Sequence, residues 1–517
     1  MMRRLVLHPI LFAVWPIAFL YSQNVQEQVP LGTVAGLVAV VVLATVALWG
    51  LAWLLCRDLR KAGLIASVVV VLFFAYGHLW RAIAHDSIAG WQYGRQKYAL
   101  GVWALLAVVG LFAAARAGRR LPGLTSALNL IAGVLVVVNL VSSIAYALGA
   151  AGDQERAERA SSLDFDVPRI PASVERPDIY YLIFDRYGSE ATLRKRFGFD
   201  NSSFLEWLAA RGFYVASDSL ANYPRTGHSL ASSLNMEYLD ALPAQVGRDS
   251  GDWSYVYRLL EDFNAAHFAQ AAGYRYMHVG SWFEPTKDDP SADRNYVYGP
   301  WSQFADVLYR TSILWPMGLR WGIPVDPRRL HVARIDYQFD KVAEVSHIDA
   351  PTFTFAHILL PHPPYVVDRD GKLVDLGVKS KWTLERQYLE QLRYANKRIE
   401  GLVSELLEER DGPRPVIILQ SDEGPHPRGY ERHPETYRWT EASLGDLEEK
   451  LNILNAYLLP RGAEKDLHQD STPVNTFRIV FNELFDAGLP LLPERTYVFQ
   501  DRSHPYRFTD VTERLDR

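Results

Sequence analysis

Apolar residues fall along this chain in two different patterns. Before residue 150 they form long runs, at 5–21, 31–55, 62–80, 98–114 and 124–148. Each run is near the ~20 residues a helix needs to cross a hydrocarbon core, so the pattern predicts five transmembrane helices over 1–150. A cleaved leader is not expected, because four more hydrophobic runs follow the first. From residue 177 the runs shorten and alternate in kind. The ranges 202–210, 255–272, 384–408 and 473–485 read as helices, and 179–184, 212–216, 274–279, 352–358, 416–420 and 452–459 as strands. That alternation predicts an α/β sandwich on a mostly parallel sheet over 177–517. Between the two domains, 151–176 is charged and small with two prolines, which is linker composition. The aromatic-rich stretch 301–321 reads as an amphipathic helix, buried in the commoner case and lying on the bilayer surface in the other.

Charge gives the runs a direction. Arg3 and Arg4 precede the first run, Arg57, Arg60 and Lys61 follow the second, and Arg116, Arg119 and Arg120 follow the fourth. The loop 22–30 has no Lys or Arg, while the loop after the third run sets Arg81, Arg95 and Lys97 against Asp86. By the positive-inside rule the N-terminus lies inside, and the C-terminal domain is extracytoplasmic on the cytoplasmic (inner) membrane. The net charge of −5 carries no basic signature, so no nucleic-acid partner is expected. The single cysteine, Cys56, ends a membrane run, which excludes a disulfide framework or a thiolate metal cage within one chain.

The chemistry-bearing residues stand where strands end. The run 179–184 stops on Asp185, and ligands bind at the C-terminal edge of open α/β sheets. Thr226 precedes an apolar-periodic segment, which places it at a helix N-terminus that favours an anion. The run 416–420 leads into Asp422 and Glu423, two adjacent carboxylates that are costly to bury without a cation. They read equally as a solvated turn. His357 and His362 bracket the end of the strand 352–358. A carboxylate at a strand end and a hydroxyl at a helix start suit metal-assisted phosphoryl transfer.

Taken together these residues resemble the alkaline phosphatase superfamily, in its membrane-anchored sulfatase-like branch of lipoteichoic acid synthases and phosphoethanolamine transferases. The resemblance covers about 177–500 and extends to the five-span architecture. It implies an alkaline-phosphatase-like α/β/α sandwich. In that branch an acidic residue ends the first strand, matched by Asp185, and a threonine nucleophile opens a helix, matched by Thr226. An Asp-His-Gly turn supplies two more ligands; here it reads Asp422-Glu423-Gly424, with Glu for the usual His. The pair His-x4-His-x-Pro matches His357 and His362, which the family sets on the phosphate or a second metal. A further histidine after the turn is matched by His433 or, less well, by His426. Arg225 and His228 flank Thr226 as candidate phosphate binders.

The implied mechanism is attack of Thr226 on phosphorus to give a phosphothreonine, with His362 and His357 on the phosphate or leaving oxygens. Asp185, Thr226, Asp422 and Glu423 would hold one divalent metal ion. An all-oxygen set favours manganese or magnesium, with zinc or calcium still allowed. No C/S-x-P-x-R motif surrounds Thr226, so sulfate-ester hydrolysis is not expected. Three readings stand. The first is a phosphotransferase moving a headgroup from a membrane lipid donor to an envelope glycan or lipid. The second is a phosphodiesterase or phosphatase using water, and the third an inactive membrane scaffold. The five spans favour the lipid donor.

Overall fold

The computed structural model describes residues 5–27, 29–83, 96–118, 121–161, 170–171, 173–299, 301–408, 412–460 and 463–515. Arg3, Arg4, Asp86, Arg95, Arg119 and Arg120, invoked for the orientation, and most of the second half of the linker lie outside them. The chain forms two compact units, 1–152 with 300–327, and 153–299 with 328–517.

Among the described residues, the N-terminal part of the first unit forms five α-helices: α1 (His8–Gln23), α2 (Leu31–Cys56), α3 (Leu59–Ile83), α4 (Gln96–Arg116) and α5 (Leu121–Ser161). Among the described residues four segments, Leu31–Cys56, Leu59–Ile83, Tyr98–Arg116 and Leu121–Gly149, are long and apolar enough to cross a membrane. The remaining run, 5–21, does form a helix, α1, but it has only 16 residues and carries Pro16. At ~1.5 Å per residue it spans roughly 24 Å, short of a ~30 Å hydrocarbon core. Many large apolar side chains, such as Val40, Leu43, Leu54, Leu105 and Val137, face outward, as lipid contact requires. The first turn of α1 is satisfied by another helix: Asn129 Oδ1 accepts from the N–H groups of Leu7 and His8 at 2.9 and 2.8 Å. α5 runs unbroken to Ser161, so 151–161 is helix rather than open linker. Its Ala, Glu and Arg content favours helix, which outweighed the linker reading.

The stretch 301–321 also belongs to this unit. It forms two helices, Gln303–Thr311 and Leu314–Trp321. Phe304 and Leu308 pack with Phe12, Ile17, Val70 and Phe74, and the N–H of Ile313 donates to the Phe73 carbonyl at 2.9 Å. Gly77 permits the approach, since a Cβ there would lie 2.2 Å from the Arg310 carbonyl oxygen. The first of these helices is thus buried, against α1 and α3, while the second is only partly so and leaves Trp321 exposed.

The second unit is built on a seven-stranded sheet: β1 (Ile179–Phe184), β2 (Tyr214–Val215), β3 (Arg275–Val279), β4 (Arg294–Tyr296), β5 (Thr352–Ile358), β6 (Val416–Gln420) and β7 (Asn455–Leu458). Their order is β2-β7-β6-β1-β5-β3-β4. All neighbours are parallel except β7 against β6 and β2 against β7. The central strand β1 is buried on both faces. Ile179, Tyr181 and Ile183 enter one core, Tyr180, Leu182 and Phe184 the other, which is why its sequence is continuously apolar. Two further strands, β8 (Tyr497–Phe499) and β9 (Phe508–Asp510), pair antiparallel apart from the sheet. The range 255–272 is two helices, Ser254–Arg258 and Asn264–Ala271, separated where Phe263 is extended.

Candidate metal and phosphoryl-transfer site

Register brings the candidate residues to one edge. Ile183 of β1 lies between His357 of β5 and Gln420 of β6, so Asp185, His357 and Asp422 leave the sheet side by side. Their ligand atoms all lie within 4.8 Å of one another, and all three residues are buried. Asp185 Oδ1 and Asp422 Oδ2 have no hydrogen-bond partner among the described residues, and His357 Nε2 faces Asp185 Oδ2 at 3.5 Å. Buried orphan acceptors around one point are what a cation's coordination shell leaves when only the protein is considered.

Thr226 opens the helix Thr226–Asn235 and is itself only partly buried. Its side chain lies beside Asp422 and favours the ionised form of that carboxyl. The helix is seated over the sheet by Tyr181, whose hydroxyl lies 3.0 Å from Ser233 Oγ and 2.6 Å from Gln420 Oε1. The helix start aims its free N–H groups and positive dipole end at the cluster.

Both histidines of the pair lie on Asp185. His362 Nε2 is 4.0 Å from Asp185 Oδ2, and its Nδ1 bonds the Pro363 carbonyl. A carbonyl only accepts, so Nδ1 carries the proton and Nε2 keeps its lone pair. His357 Nδ1 meets Thr286 Oγ1 at 2.8 Å, which likewise leaves Nε2 toward the carboxylates. Burial, then Arg186, lowers His362 to about 4, so it is neutral near pH 7.

The two carboxylates divide in charge. Burial, then Asp185 and Glu423, pushes Asp422 well above the usual carboxylate range. Burial also opposes ionisation of Asp185, but His362, His357 and Arg186 outweigh it and hold it low. Close buried carboxylates do not both ionise without a cation between them.

Glu423 is placed differently from the expectation. Its Oε1 lies 2.6 Å from Lys450 Nζ, 3.3 Å from Arg186 Nε and 3.3 Å from His426 Nε2. Lys450 holds it well below the ordinary glutamate value against the cost of burial. The cluster with metal-ligand geometry therefore contains the His357 nitrogen where the sequence reading put the Glu423 carboxylate, and the premise of an all-oxygen shell lapses. His228 points away: it is fully buried against Tyr223, Trp253, Phe499 and Phe508, and bonds the Pro505 carbonyl. Two positions along a helix turn a side chain by ~200°, to the opposite face from Thr226. His433 is exposed at the end of the helix Arg428–Arg432, so His426 is the histidine brought near the turn. Arg225 bonds the Tyr430 hydroxyl and stays partly exposed.

Two residues of the site were not anticipated. Arg186 adopts a left-handed φ of +65°, and its N–H reaches Asp422 Oδ1 at 3.4 Å. Its only sequence signal was adjacency to Asp185. Lys450 lies on the helix Leu444–Leu451, where a lone lysine reads as a surface residue.

No protein-family model matches the chain, and no curated protein matches it. Solved structures do. Integral membrane lipooligosaccharide phosphoethanolamine transferase A of Neisseria meningitidis is 14% identical over 92% of this chain and 95% of its own, with a TM-score of 0.40. The C-terminal periplasmic domain of EptC from Escherichia coli, in complex with Zn, is 12% identical over 66% and 94%, with a TM-score of 0.44. The lipoteichoic acid synthase LtaP of Listeria monocytogenes is 13% identical over 69% and 85%, with a TM-score of 0.40. At these identities the chemistry has to be read from the site's own geometry.

Proposed function

We propose that this protein is a membrane-bound, metal-dependent phosphotransferase that takes a phospho-headgroup from a lipid donor onto Thr226 and passes it to an envelope acceptor. The observation that carries the reading is the convergence of Asp185, His357 and Asp422 on one buried point beside a reachable hydroxyl at a helix N-terminus. Asp185, His357, Asp422 and Thr226 would hold the cation, and a mixed nitrogen and oxygen set admits zinc as readily as manganese or magnesium. Such an ion supplies a low alkoxide pKa and charge neutralisation at phosphate oxygens.

The chain's own groups do the rest. Asp422, beside the Thr226 side chain, orients Oγ1 toward phosphorus. In-line attack forms the Thr226 O–P bond and breaks the P–O bond to the lipid alcohol, which leaves as the free alcohol carrying the proton that Thr226 gives up. The backbone N–H groups of the helix start and Arg225 face the phosphate oxygens. Neutral His362, with its Nε2 lone pair free, takes the proton of the acceptor hydroxyl that resolves the phosphothreonine. Lys450 neutralises Glu423 locally, so the altered turn leaves the cluster whole, which favours a working centre over a scaffold. With the N-terminus inside, as the loop charges imply, an extracytoplasmic site needs an odd number of crossings, and α1 would be the fifth span despite its length.

The test is turnover of phospholipid vesicles by the purified full chain. Diacylglycerol should appear with divalent metal and disappear in Thr226→Ala, which removes the nucleophile but little buried area. Release persisting in Thr226→Ala above about one part in a hundred refutes the reading.

A further inference from the structure

The interior behind Thr226 holds a second group of cation-binding donors that the reaction above does not use. Glu423 and the side chain of His426 meet there, 2% and 10% exposed, with Glu423 Oε1 3.3 Å from His426 Nε2. His426 Nε2 and Glu423 Oε2 have no hydrogen-bond partner among the described residues. Asp422 is the next residue along the chain. A carboxylate and an imidazole nitrogen, with Asp422 as a carboxylate shared with the first cluster, are a ligand set for a divalent ion. Into this set comes the ammonium of Lys450, fully buried, 2.6 Å from Glu423 Oε1 and donating to the Gly424 carbonyl at 3.1 Å.

The intrusion is built into the backbone. The N–H of Gly424 donates to the Lys450 carbonyl at 2.7 Å. A Cβ at Gly424 would lie 2.5 Å from the Glu449 carbonyl oxygen and 2.9 Å from that of Lys450, so only glycine lets the turn dock on this helix. The Asp-Glu-Gly turn and the helix that carries Lys450 are therefore fixed to each other. Charge agrees with geometry. Three buried carboxylates, Asp185, Asp422 and Glu423, face two fixed cations, Arg186 and Lys450. One divalent ion then leaves the centre with a single positive charge, suited to a phosphate anion, and a second ion would meet the ammonium at contact distance.

We propose that Lys450 supplies, as a fixed ammonium, the second cation of this centre, so that the site holds one metal ion and Glu423 with His426 is barred from binding another. The proposal rests on reading Asp185, His357 and Asp422 as ligands of one ion. It is tested by metal content per chain on the detergent-purified full chain, loaded with Zn²⁺ or with Mn²⁺, desalted and measured by elemental analysis. The wild type should carry one ion. Lys450→Met, which keeps the stem and removes the charge, should carry two. Lys450→Arg should carry one, and the double variant Lys450→Met with Glu423→Gln should return to one, its paired neutral side chains also serving as the folded control. Two ions in the wild type, or one in Lys450→Met, overturns the proposal while leaving the first ion's ligands standing. No ion in the wild type overturns the ligand reading itself and this proposal with it.

Discussion

Thr286 offers a test of whether His357 is held as a ligand. Its hydroxyl lies 2.8 Å from His357 Nδ1, both side chains are buried, and the contact is what leaves Nε2 facing Asp185 and Asp422. Thr286→Val preserves shape and removes Oγ1. Ser281, a second polar neighbour at 2.7 Å, keeps the Phe283 N–H at 2.9 Å, and the Phe283 carbonyl loses only a long 3.4 Å bond, so the loss falls chiefly on His357. Leaving a buried ring N–H without a partner costs ~1–3 kcal/mol. At ~1.4 kcal/mol per tenfold that is roughly 5- to 150-fold in an equilibrium constant, and partners behind ligating histidines are usually worth 10–100-fold in metal affinity. The assay is competition for Zn²⁺ between the purified protein and a chromophoric chelator. The dissociation constant should rise about tenfold or more in Thr286→Val and return toward wild type in Thr286→Ser. A value within about twofold of wild type, with a wild-type melting profile, would refute the role given to His357.

Two other outcomes follow from the structure. Burial, then Asp288 and Asp289, raises Glu261 to about 7 from an ordinary 4.5. The folded state thus binds the extra proton between pH 4.5 and 7, so this group's stabilisation is complete below 4.5 and lost as pH rises through 7, by at most about 3 kcal/mol. Glu261→Gln should therefore raise the melting temperature relative to wild type more at pH 8 than at pH 5, and an equal shift at both would remove Glu261 as the cause. For topology, a reporter fused after Gly152 should be active only in an extracytoplasmic form. Deleting 1–27, which removes α1, should reverse it, and a cytoplasmic signal from the intact chain would remove α1 as a fifth crossing.

Much of the sheet was legible because β1 and β6 are buried on both faces and so read as almost unbroken apolar runs, followed by residues that bear the chemistry, while β5, equally buried, still reads as a strand from its β-branched and aromatic residues. Thr226 was legible as a helix start for the same reason: a polar residue before a fully buried segment marks a boundary. What stayed hidden depends on contacts between distant segments. Nothing local distinguishes Lys450 from a solvated lysine, because its burial comes from Glu423, 27 positions earlier. That one contact changes Glu423 from an expected ligand into half of an ion pair. The stretch 301–321 carried an amphipathic signal but no sign of its partner, and Gly77, which admits it to α3, reads as an ordinary membrane-helix glycine. His228 looked like a phosphate binder by adjacency, whereas the helix turns it into an aromatic core.

The central claim is a covalent phosphoryl group on Thr226. The direct measurement is peptide mass spectrometry of the full chain, acid-quenched during turnover with phospholipid vesicles. The account predicts a metal-dependent adduct on the peptide containing Thr226, with the mass of the donor's phospho-headgroup, absent in Thr226→Ala. Turnover with the adduct on another residue, or with none at any quench time, would contradict it.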